Sequence, residues 1–170
     1  LIHINKNFHL CSMAMRNVVI GGMEGDYFEF GARTGKSFIL AHNSYKTMLS
    51  KYLSKNTGSH QEKMRFIAFD AWELGFPEET DDKTFKPQHW KQGSMNEPKS
   101  KFINNLKLNK VDLNDVILVE GYFENTLNDD LISKYNLRKA SILHFDCDLY
   151  SSTKIALKFS RKFLQIGTII

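Results

Sequence analysis

Two acidic side chains near the end of the chain have the types and spacing that chemistry needs. Asp146 and Asp148 follow an apolar segment in the stretch His-Phe-Asp-Cys-Asp-Leu-Tyr of residues 144–150. Carboxylates two residues apart at a strand end favour a hard divalent cation, which prefers oxygen ligands. Asp148 also fits a simpler role as an acid at a helix N-terminus, where the helix dipole stabilises negative charge.

The side chains around this acidic pair give weaker evidence of a functional role. Cys147 would need a nearby base to act as a nucleophile, and the sequence identifies no histidine placed to activate it. A small buried thiol is the favoured interpretation of Cys147. His144 falls inside a strand that we expect to be buried on both faces. It is therefore interpreted as a hydrogen-bonded core histidine rather than as a base.

A glycine-containing turn, Glu-Phe-Gly-Ala-Arg-Thr-Gly-Lys-Ser, occupies residues 29–37 between a predicted strand and a predicted helix. Gly31 and Gly35 allow a sharp turn and the close approach of a ligand to the helix N-terminus. Glu29 can accept a hydrogen bond from a cationic or hydroxylated ligand. This suits the amino-acid end of S-adenosylmethionine (SAM), which needs no phosphate cradle. The same spacing also fits a plain strand-to-helix turn.

The same turn imitates a phosphate-binding loop. Gly35, Lys36 and Ser37 match the end of the pattern G-x-x-x-x-G-K-[ST], but Phe30 stands where the first glycine belongs. Gly31 comes one residue too late, which shortens the loop that must wrap the phosphates. The turn therefore leaves open a second interpretation, in which the protein is a P-loop nucleotide hydrolase.

Two other strand ends carry candidate cofactor contacts. Asp70 ends the second predicted strand, where a carboxylate can hold a ribose diol or simply cap a helix. Trp72 follows it and would either stack on an adenine or cover the edge of the sheet. After the third strand, Gly121 permits close approach of a ligand. Tyr122 and Phe123 would either flank that ligand or plug the core.

Predicted strands and helices alternate along the chain and position these residues. The predicted strands are 26–32, 65–69, 116–119 and 141–145, with a fifth beginning at Thr168. The predicted helices are 5–20, 35–53, 94–108, 127–135 and 151–164, and residues 71–95 form a long loop. This alternation predicts an α/β fold with a parallel sheet. Ligands bind such sheets beyond the carboxyl ends of the strands, where the candidate residues lie.

Composition narrows the class of protein. The chain has 170 residues, 42% of them hydrophobic, and a net charge of +4 without a basic cluster. This argues against nucleic acid as a partner, and no apolar run has the length of a membrane span. The two cysteines are far apart and are expected to be reduced thiols in a cytoplasmic protein. Without an initiator methionine, and with a strand opening at its end, the chain is interpreted as one C-terminally incomplete domain covering residues 1–170.

The motifs together resemble the macrocin and mycinamicin (TylF-like) sugar O-methyltransferase family. The resemblance rests on residues 25–31, 35–37, 69–70, 120–127 and 144–154, which occur in this order. It implies a Rossmann-like class I methyltransferase fold with an N-terminal helix before the first strand. It also implies methyl transfer from SAM to a sugar hydroxyl, assisted by Mg²⁺.

Position by position, the resemblance implies SAM contacts at Glu29, Gly31, Gly35, Asp70 and residues 121–123. It implies that Asp146 is a metal ligand, and we take Asp146 as the catalytic candidate. Ser37 and Trp72 are added as cofactor candidates from their places beside these motifs, and Asp148 as a second metal candidate.

The sequence departs from the family pattern at several points. Lys36 replaces a second glycine, and residues 70–77 form a variant of the usual segment. The family's paired acids after the fifth strand would lie beyond Ile170. A non-catalytic protein that keeps the fold is therefore a second alternative. His89 and Trp90, in the long loop, are candidate contacts for a small sugar-like acceptor, and homo-oligomer formation is left open.

Overall fold

The computed structural model describes residues 6–52, 63–78 and 91–170. The helices are α1 (Lys6–Ile20), α2 (Lys36–Tyr52), α3 (Lys99–Leu108), α4 (Phe123–Thr126), α5 (Asp129–Tyr135) and α6 (Tyr150–Ser160). The strands are β1 (Asp26–Phe30), β2 (Phe66–Asp70), β3 (Val116–Glu120) and β4 (Ala140–Phe145). No helix in these ranges combines the length and the apolar character needed to cross a membrane.

The four strands form one parallel sheet in the order β3-β2-β1-β4. Phe28 in β1 lies between Ile67 of β2 and Leu143 of β4. Beyond β4, Ile169 forms a parallel bridge with Ile142, where the sequence predicted a fifth strand. The predicted α/β fold with a parallel sheet is confirmed.

Strand β1 is buried along its whole length, because helices cover both faces of the sheet. On one face Tyr27 and Phe66 pack against residues of α1, α2 and α3. On the other face the ring of Phe30 stacks between Phe69, at a centroid distance of 4.5 Å, and Phe145, at 5.1 Å. Residues of α4, α5 and α6 complete this second layer of the core.

Several element boundaries differ from the predicted ones for identifiable reasons. Helix α3 begins at Lys99 rather than near residue 94, because Pro98 is extended and restricts the residue before it. The predicted helix 127–135 is α5, which begins two residues later, at Asp129, since Asn128 is extended and its side chain caps the helix by accepting a hydrogen bond from the Leu131 amide. A short 3₁₀ turn (Trp72–Leu74) opens the long loop. His89 and Trp90 lie outside the described residues.

A buried carboxylate holds the amino ends of the strands together. Asp26 is fully buried and accepts hydrogen bonds from Arg65, at 2.6 Å from Nη2 and 3.0 Å from the backbone amide. Arg138, just before β4, donates to the other side of the same carboxylate. One acid therefore ties the starts of β1, β2 and β4.

Removal of this acid tests its contribution to stability. We expect Asp26→Ala to lower the free energy of unfolding by roughly 3–5 kcal/mol, because it leaves two guanidinium groups partly buried without their counter-charge. Asp129→Ala is the matched control, since the Asp129–Lys162 pair is exposed (84% and 53% of the side chains) and such pairs contribute about 0–1 kcal/mol. Urea unfolding of both variants is the measurement. Equal losses in the two variants would contradict this role for Asp26.

Candidate functional site

A cavity of about 250 Å³ lies at the carboxyl edge of the sheet. Its walls come from the segments that follow all four strands, as expected for a parallel α/β sheet. The residues lining it are Gly31, Arg33, Asp70, Ala71, Trp72, Gly75, Phe76, Pro77, Met95, Gly121, Tyr122, Phe123, Asp146, Cys147, Asp148, Leu149 and Ser152.

Most of the residues singled out in the sequence meet at this cavity. Those lining it are Gly31, Asp70, Trp72, Gly121, Tyr122, Phe123, Asp146 and Asp148. Glu29, Gly35 and Ser37 do not line it, although they belong to the same strand–helix turn. The site is thus assembled from four chain segments that are far apart in the sequence.

Gly31 is required where the ends of β1 and β4 come together. Its φ of +94° suits glycine, and a Cβ at this position would overlap the carbonyl oxygen of Asp146. The Asp146 amide donates to the Phe30 carbonyl at 2.9 Å, and the Gly31 amide donates to the Phe69 carbonyl at 2.9 Å. Contact with the neighbouring strand, and not only space for a ligand, explains this glycine.

Glu29 lies beneath the cavity in a buried hydrogen-bond network. Its carboxylate accepts hydrogen bonds from the Ser37 hydroxyl at 2.6 Å and from the Tyr27 hydroxyl, and His144 Nδ1 lies 3.4 Å away. The hydrogen bond to Glu29 raises the pKa of His144, whereas burial, followed by Glu29, raises the pKa of Tyr27. Glu29 therefore joins the first turn of α2 to β1 and β4. Direct contact of Glu29, Gly35 or Ser37 with a cofactor stays a prediction.

Asp70 shapes the loops on both sides of the cavity. One oxygen of its carboxylate accepts a hydrogen bond from the Arg33 amide at 2.7 Å, and the other accepts one from the Trp72 amide at 2.7 Å. The Trp72 indole donates to the Arg33 carbonyl at 3.1 Å and packs edge-on against Phe102. Only 1% of Trp72 is exposed. Of the two alternatives for Trp72, the structure shows packing rather than an open stacking surface.

Both aromatic residues of the segment after β3 line the cavity, and one of them also packs into the core. Phe123 is buried and packs edge-on against Phe30 at a centroid distance of 5.8 Å. Tyr122 is half-buried, and its hydroxyl donates to the Leu74 carbonyl at 3.2 Å. Gly121 has a φ of +129°, and its amide donates to the Asp70 carbonyl at 2.9 Å. Phe123 thus packs into the core while also lining the cavity, and contact of either aromatic residue with a cofactor stays a prediction.

The two candidate metal ligands are exposed on the cavity wall. Partial burial, followed by the charge of Asp146, raises the pKa of Asp148, and Arg33 lowers it. Within residues 6–52, 63–78 and 91–170 there is no group of three or more histidine, cysteine or acidic side chains that could hold a metal ion. These residues therefore offer a cation the Asp146–Asp148 pair and no larger ligand set.

Cys147 lies between the two acids and faces inward. Its thiol donates to the Phe30 carbonyl at 3.4 Å, and burial raises its pKa to about 12, with further increases from Asp146, Asp148 and Asp70. Because the thiolate is the nucleophilic form, this environment disfavours nucleophilic chemistry. The structure agrees with a structural role for the thiol.

The sequence interpretation missed several cavity residues. Apart from Arg33, they are mainly apolar: Phe76, Pro77, Met95 and Leu149. Arg33 lay inside the glycine turn, but its left-handed backbone (φ +42°) and its position on the cavity wall depend on contacts with β2. The glycine and proline of the long loop were the available signal for residues 75–77.

Comparison with known proteins places the chain in a family. The sequence model described as Macrocin-O-methyltransferase (TylF) matches residues 5–170. The chain belongs to this family. The resemblance on which the sequence analysis relied is thereby confirmed. Among curated protein sequences, none matches the chain.

Solved structures of methyltransferases share its fold. The calicheamicin methyltransferase CalS11 superposes with a TM-score of 0.72 at 23% identity, covering 99% of this chain and 64% of that one. The O-methyltransferase NovP gives a TM-score of 0.73 at 17% identity, covering 96% and 63%. The apo structure of CalS11, named as a TDP-rhamnose 3′-O-methyltransferase, gives 0.61 at 19% identity, covering 99% and 63%. The chain thus spans less than two thirds of the length of these proteins.

Substitution of Gly31 tests the contact between the two strand ends. We expect Gly31→Ala to lower the free energy of unfolding by roughly 3 kcal/mol, since a Cβ adds a clash with backbone to the strain of positive φ. Gly22→Ala is the control, because Gly22 also has positive φ (+61°) but a methyl group there would have no atom within 4 Å; we expect a loss of about 1 kcal/mol. Chemical unfolding measures both. A loss for Gly31→Ala no larger than that of the control would refute the contact.

Proposed function

We propose that the protein is a SAM-dependent O-methyltransferase that methylates a hydroxyl of a sugar or glycosylated small molecule. The observation that carries the proposal is the single cavity joining the acid after β2 with the two acids after β4 across Gly31. Membership of the macrocin O-methyltransferase family supports the reaction class. The naming of CalS11 as a TDP-rhamnose methyltransferase supports a sugar acceptor.

The strand order suggests how SAM would lie. Asp70 at the end of β2 would offer its carboxylate to the ribose diol. Each of its two oxygens already accepts one backbone hydrogen bond. A carboxylate oxygen can accept more than one hydrogen bond, so both remain able to bind the diol. Tyr122, after β3, lines the same cavity and would contact the adenine. Asp146 and Asp148, after β4, lie on the far side of Gly31 and would face the reacting methyl group and the acceptor.

The residues of the chain would contribute mainly alignment and charge. When bound, SAM supplies the methyl group on its sulfonium, and Mg²⁺ would make the acceptor hydroxyl more acidic. Asp146 and Asp148 would orient the acceptor hydroxyl against the methyl group. Alignment of this kind lowers the activation barrier, because the entropy of bringing the two groups together is lost on binding and not in the reaction step. Asp148 lies on the same wall as Asp146 and would be the second acid beside this hydroxyl.

The proposal for magnesium rests on a partial ligand set. Mg²⁺ is commonly held by one or two carboxylates together with water and substrate oxygens, which fits the Asp146–Asp148 pair. Further acids after the fifth strand, which the family resemblance implies, would add to this pair. The proposal places Asp146 as the main ligand, and a cytoplasmic location belongs to the same proposal.

The two alternative functions predict different ligands. A nucleotide hydrolase would bind ATP through the turn at residues 29–37, but Ser37 donates to Glu29 there and neither residue lines the cavity. A non-catalytic relative would bind SAM without turnover. Magnesium-dependent ATP hydrolysis by the protein would favour the first alternative. SAM binding without methyl transfer to any sugar acceptor would favour the second.

Loss of the β2 acid tests the ribose site. We expect Asp70→Ala to weaken SAM binding at least about tenfold, because a charged acceptor contributes about 1.5–3 kcal/mol. Glu120→Ala is the control. Glu120 is the register partner of Asp70 in the neighbouring strand, but its side chain forms an ion pair with Lys99 and does not line the cavity. Titration calorimetry on folded variants is the measurement. Unchanged SAM affinity in Asp70→Ala would rule out the ribose assignment.

Loss of the first β4 acid tests the metal site. We expect Asp146→Ala to lower metal-dependent methyl transfer by roughly 100-fold or more, with SAM affinity kept within about threefold because Asp146 faces the acceptor side. Magnesium titration should show weaker binding in the same variant, whereas Asp129→Ala should behave like the parent protein. Undiminished metal-dependent turnover in Asp146→Ala would eliminate this assignment.

A further inference from the structure

Arg33 is the one cationic side chain among the described residues that line the cavity, whereas three of the lining residues are aspartates. SAM carries one carboxylate, on its methionyl group, besides its two positive charges. We propose that the Arg33 guanidinium binds the methionyl carboxylate of SAM and so distinguishes the complete cofactor from analogues that lack this group. The inference rests on the proposed function.

The order of the strands places the carboxylate beside Arg33. If the ribose lies at Asp70 and the base beside Tyr122, the adenosine occupies the β2–β3 side of the cavity. The remaining part of SAM must then extend over the turn that follows β1, which neighbours β2 in the sheet. Arg33 is two residues beyond Gly31 in this turn and lines the same cavity. The methionyl end therefore reaches a guanidinium without leaving the cavity.

Both backbone polar groups of Arg33 form hydrogen bonds, so the position of its Cα is fixed. Its amide donates to Asp70 at 2.7 Å, and its carbonyl accepts the Trp72 indole hydrogen bond at 3.1 Å. The turn is closed by a hydrogen bond of 2.7 Å from the Gly35 amide to the Ala32 carbonyl. A group held in place before the ligand arrives loses less conformational entropy on binding.

The guanidinium has donors to offer a ligand. The Arg33 side chain is 51% exposed, and its ion pair with Glu97 spans 3.6 Å, which is longer than a hydrogen bond. Glu97 also pairs with Lys101 at 2.8 Å, so its charge stays compensated if Arg33 turns to a ligand. An ion pair of this length, with its guanidinium half exposed, contributes little. Exchange of Glu97 for a ligand carboxylate, which a guanidinium can bind in two-pronged fashion, is therefore favourable.

The two aspartates after β4 argue against an anionic group beside the reacting acceptor hydroxyl as the partner of Arg33. Asp146 and Asp148 lie on the side where the acceptor would bind, and their charges would repel a phosphate or carboxylate there. A carboxylate over the β1 turn would instead be balanced by Arg33. The charge pattern of the cavity thus matches that of the cofactor.

The test compares SAM with decarboxylated SAM, which lacks only the carboxylate. Titration calorimetry measures the affinity of each ligand for the parent protein and for the Arg33→Met variant. Methionine keeps much of the length of the side chain and removes its charge. We expect Arg33→Met to weaken SAM binding about tenfold or more, and to change the binding of decarboxylated SAM by less than about threefold. Arg33→Lys should recover part of the loss, because an ammonium keeps the charge without the two-pronged geometry.

Lys36→Met is the control, since Lys36 is an exposed cation of the same turn that does not line the cavity; both ligands should bind it as they bind the parent. Equal weakening of both ligands in Arg33→Met would show a structural role and overturn the proposal, as would unchanged binding of SAM. A parent protein that binds neither ligand would overturn the proposed function itself. A parent protein that binds both ligands equally well would refute the Arg33 assignment while leaving that function standing.

Discussion

The contact between Gly31 and the Asp146 backbone brings the ends of β1 and β4 together, and the cavity depends on it. Between these strand ends no side chain can be inserted, because a Cβ on residue 31 would overlap the Asp146 carbonyl. The amide of Asp146 completes the junction with a hydrogen bond to Phe30. The carboxylate after β4 therefore lies at a fixed position beside the turn that follows β1, where the proposed reaction would take place.

Two other acids hold the surroundings of this junction, each by accepting hydrogen bonds from two segments. Glu29 lies below the cavity and joins β1 to α2 through Ser37. Asp70 lies at its wall and fixes the backbones of Arg33 and Trp72. A buried or partly buried carboxylate is stabilised by such donors, and in return it orders the loops that carry them. Pre-ordered loops are what a site that works by alignment requires.

The charges on the cavity wall indicate which kind of ligand the cavity can bind. Three aspartates and one arginine line a largely apolar cavity, an arrangement suited to a ligand with a cationic centre, a diol and one carboxylate. The thiol between two of the aspartates is kept protonated by burial and by their charges. The same field that favours a sulfonium therefore suppresses thiolate chemistry at Cys147.

The sequence alone determined the alternation of strands and helices, the parallel sheet and the segments that end at the site. These features are local: apolar runs, glycine turns and strand-terminal acids follow from neighbours within a few residues. The edge at which Asp70, Gly121 and Asp146 meet followed from the rule that parallel strands share a carboxyl end. The family motifs then indicated the reaction class, and the family comparison confirmed the membership.

Only the tertiary structure decided what each side chain at that edge faces. Glu29 and His144 are far apart in the chain, and their proximity arises from the register of β1 with β4. The same register, together with the positive φ of the turn, explains Gly31. Trp72 packs into the core because its indole finds the Arg33 carbonyl and Phe102, and Arg33 reaches the cavity because Asp70 holds its amide. Such long-range pairings leave no periodic signal in the sequence, since they depend on which segments the folded sheet brings together.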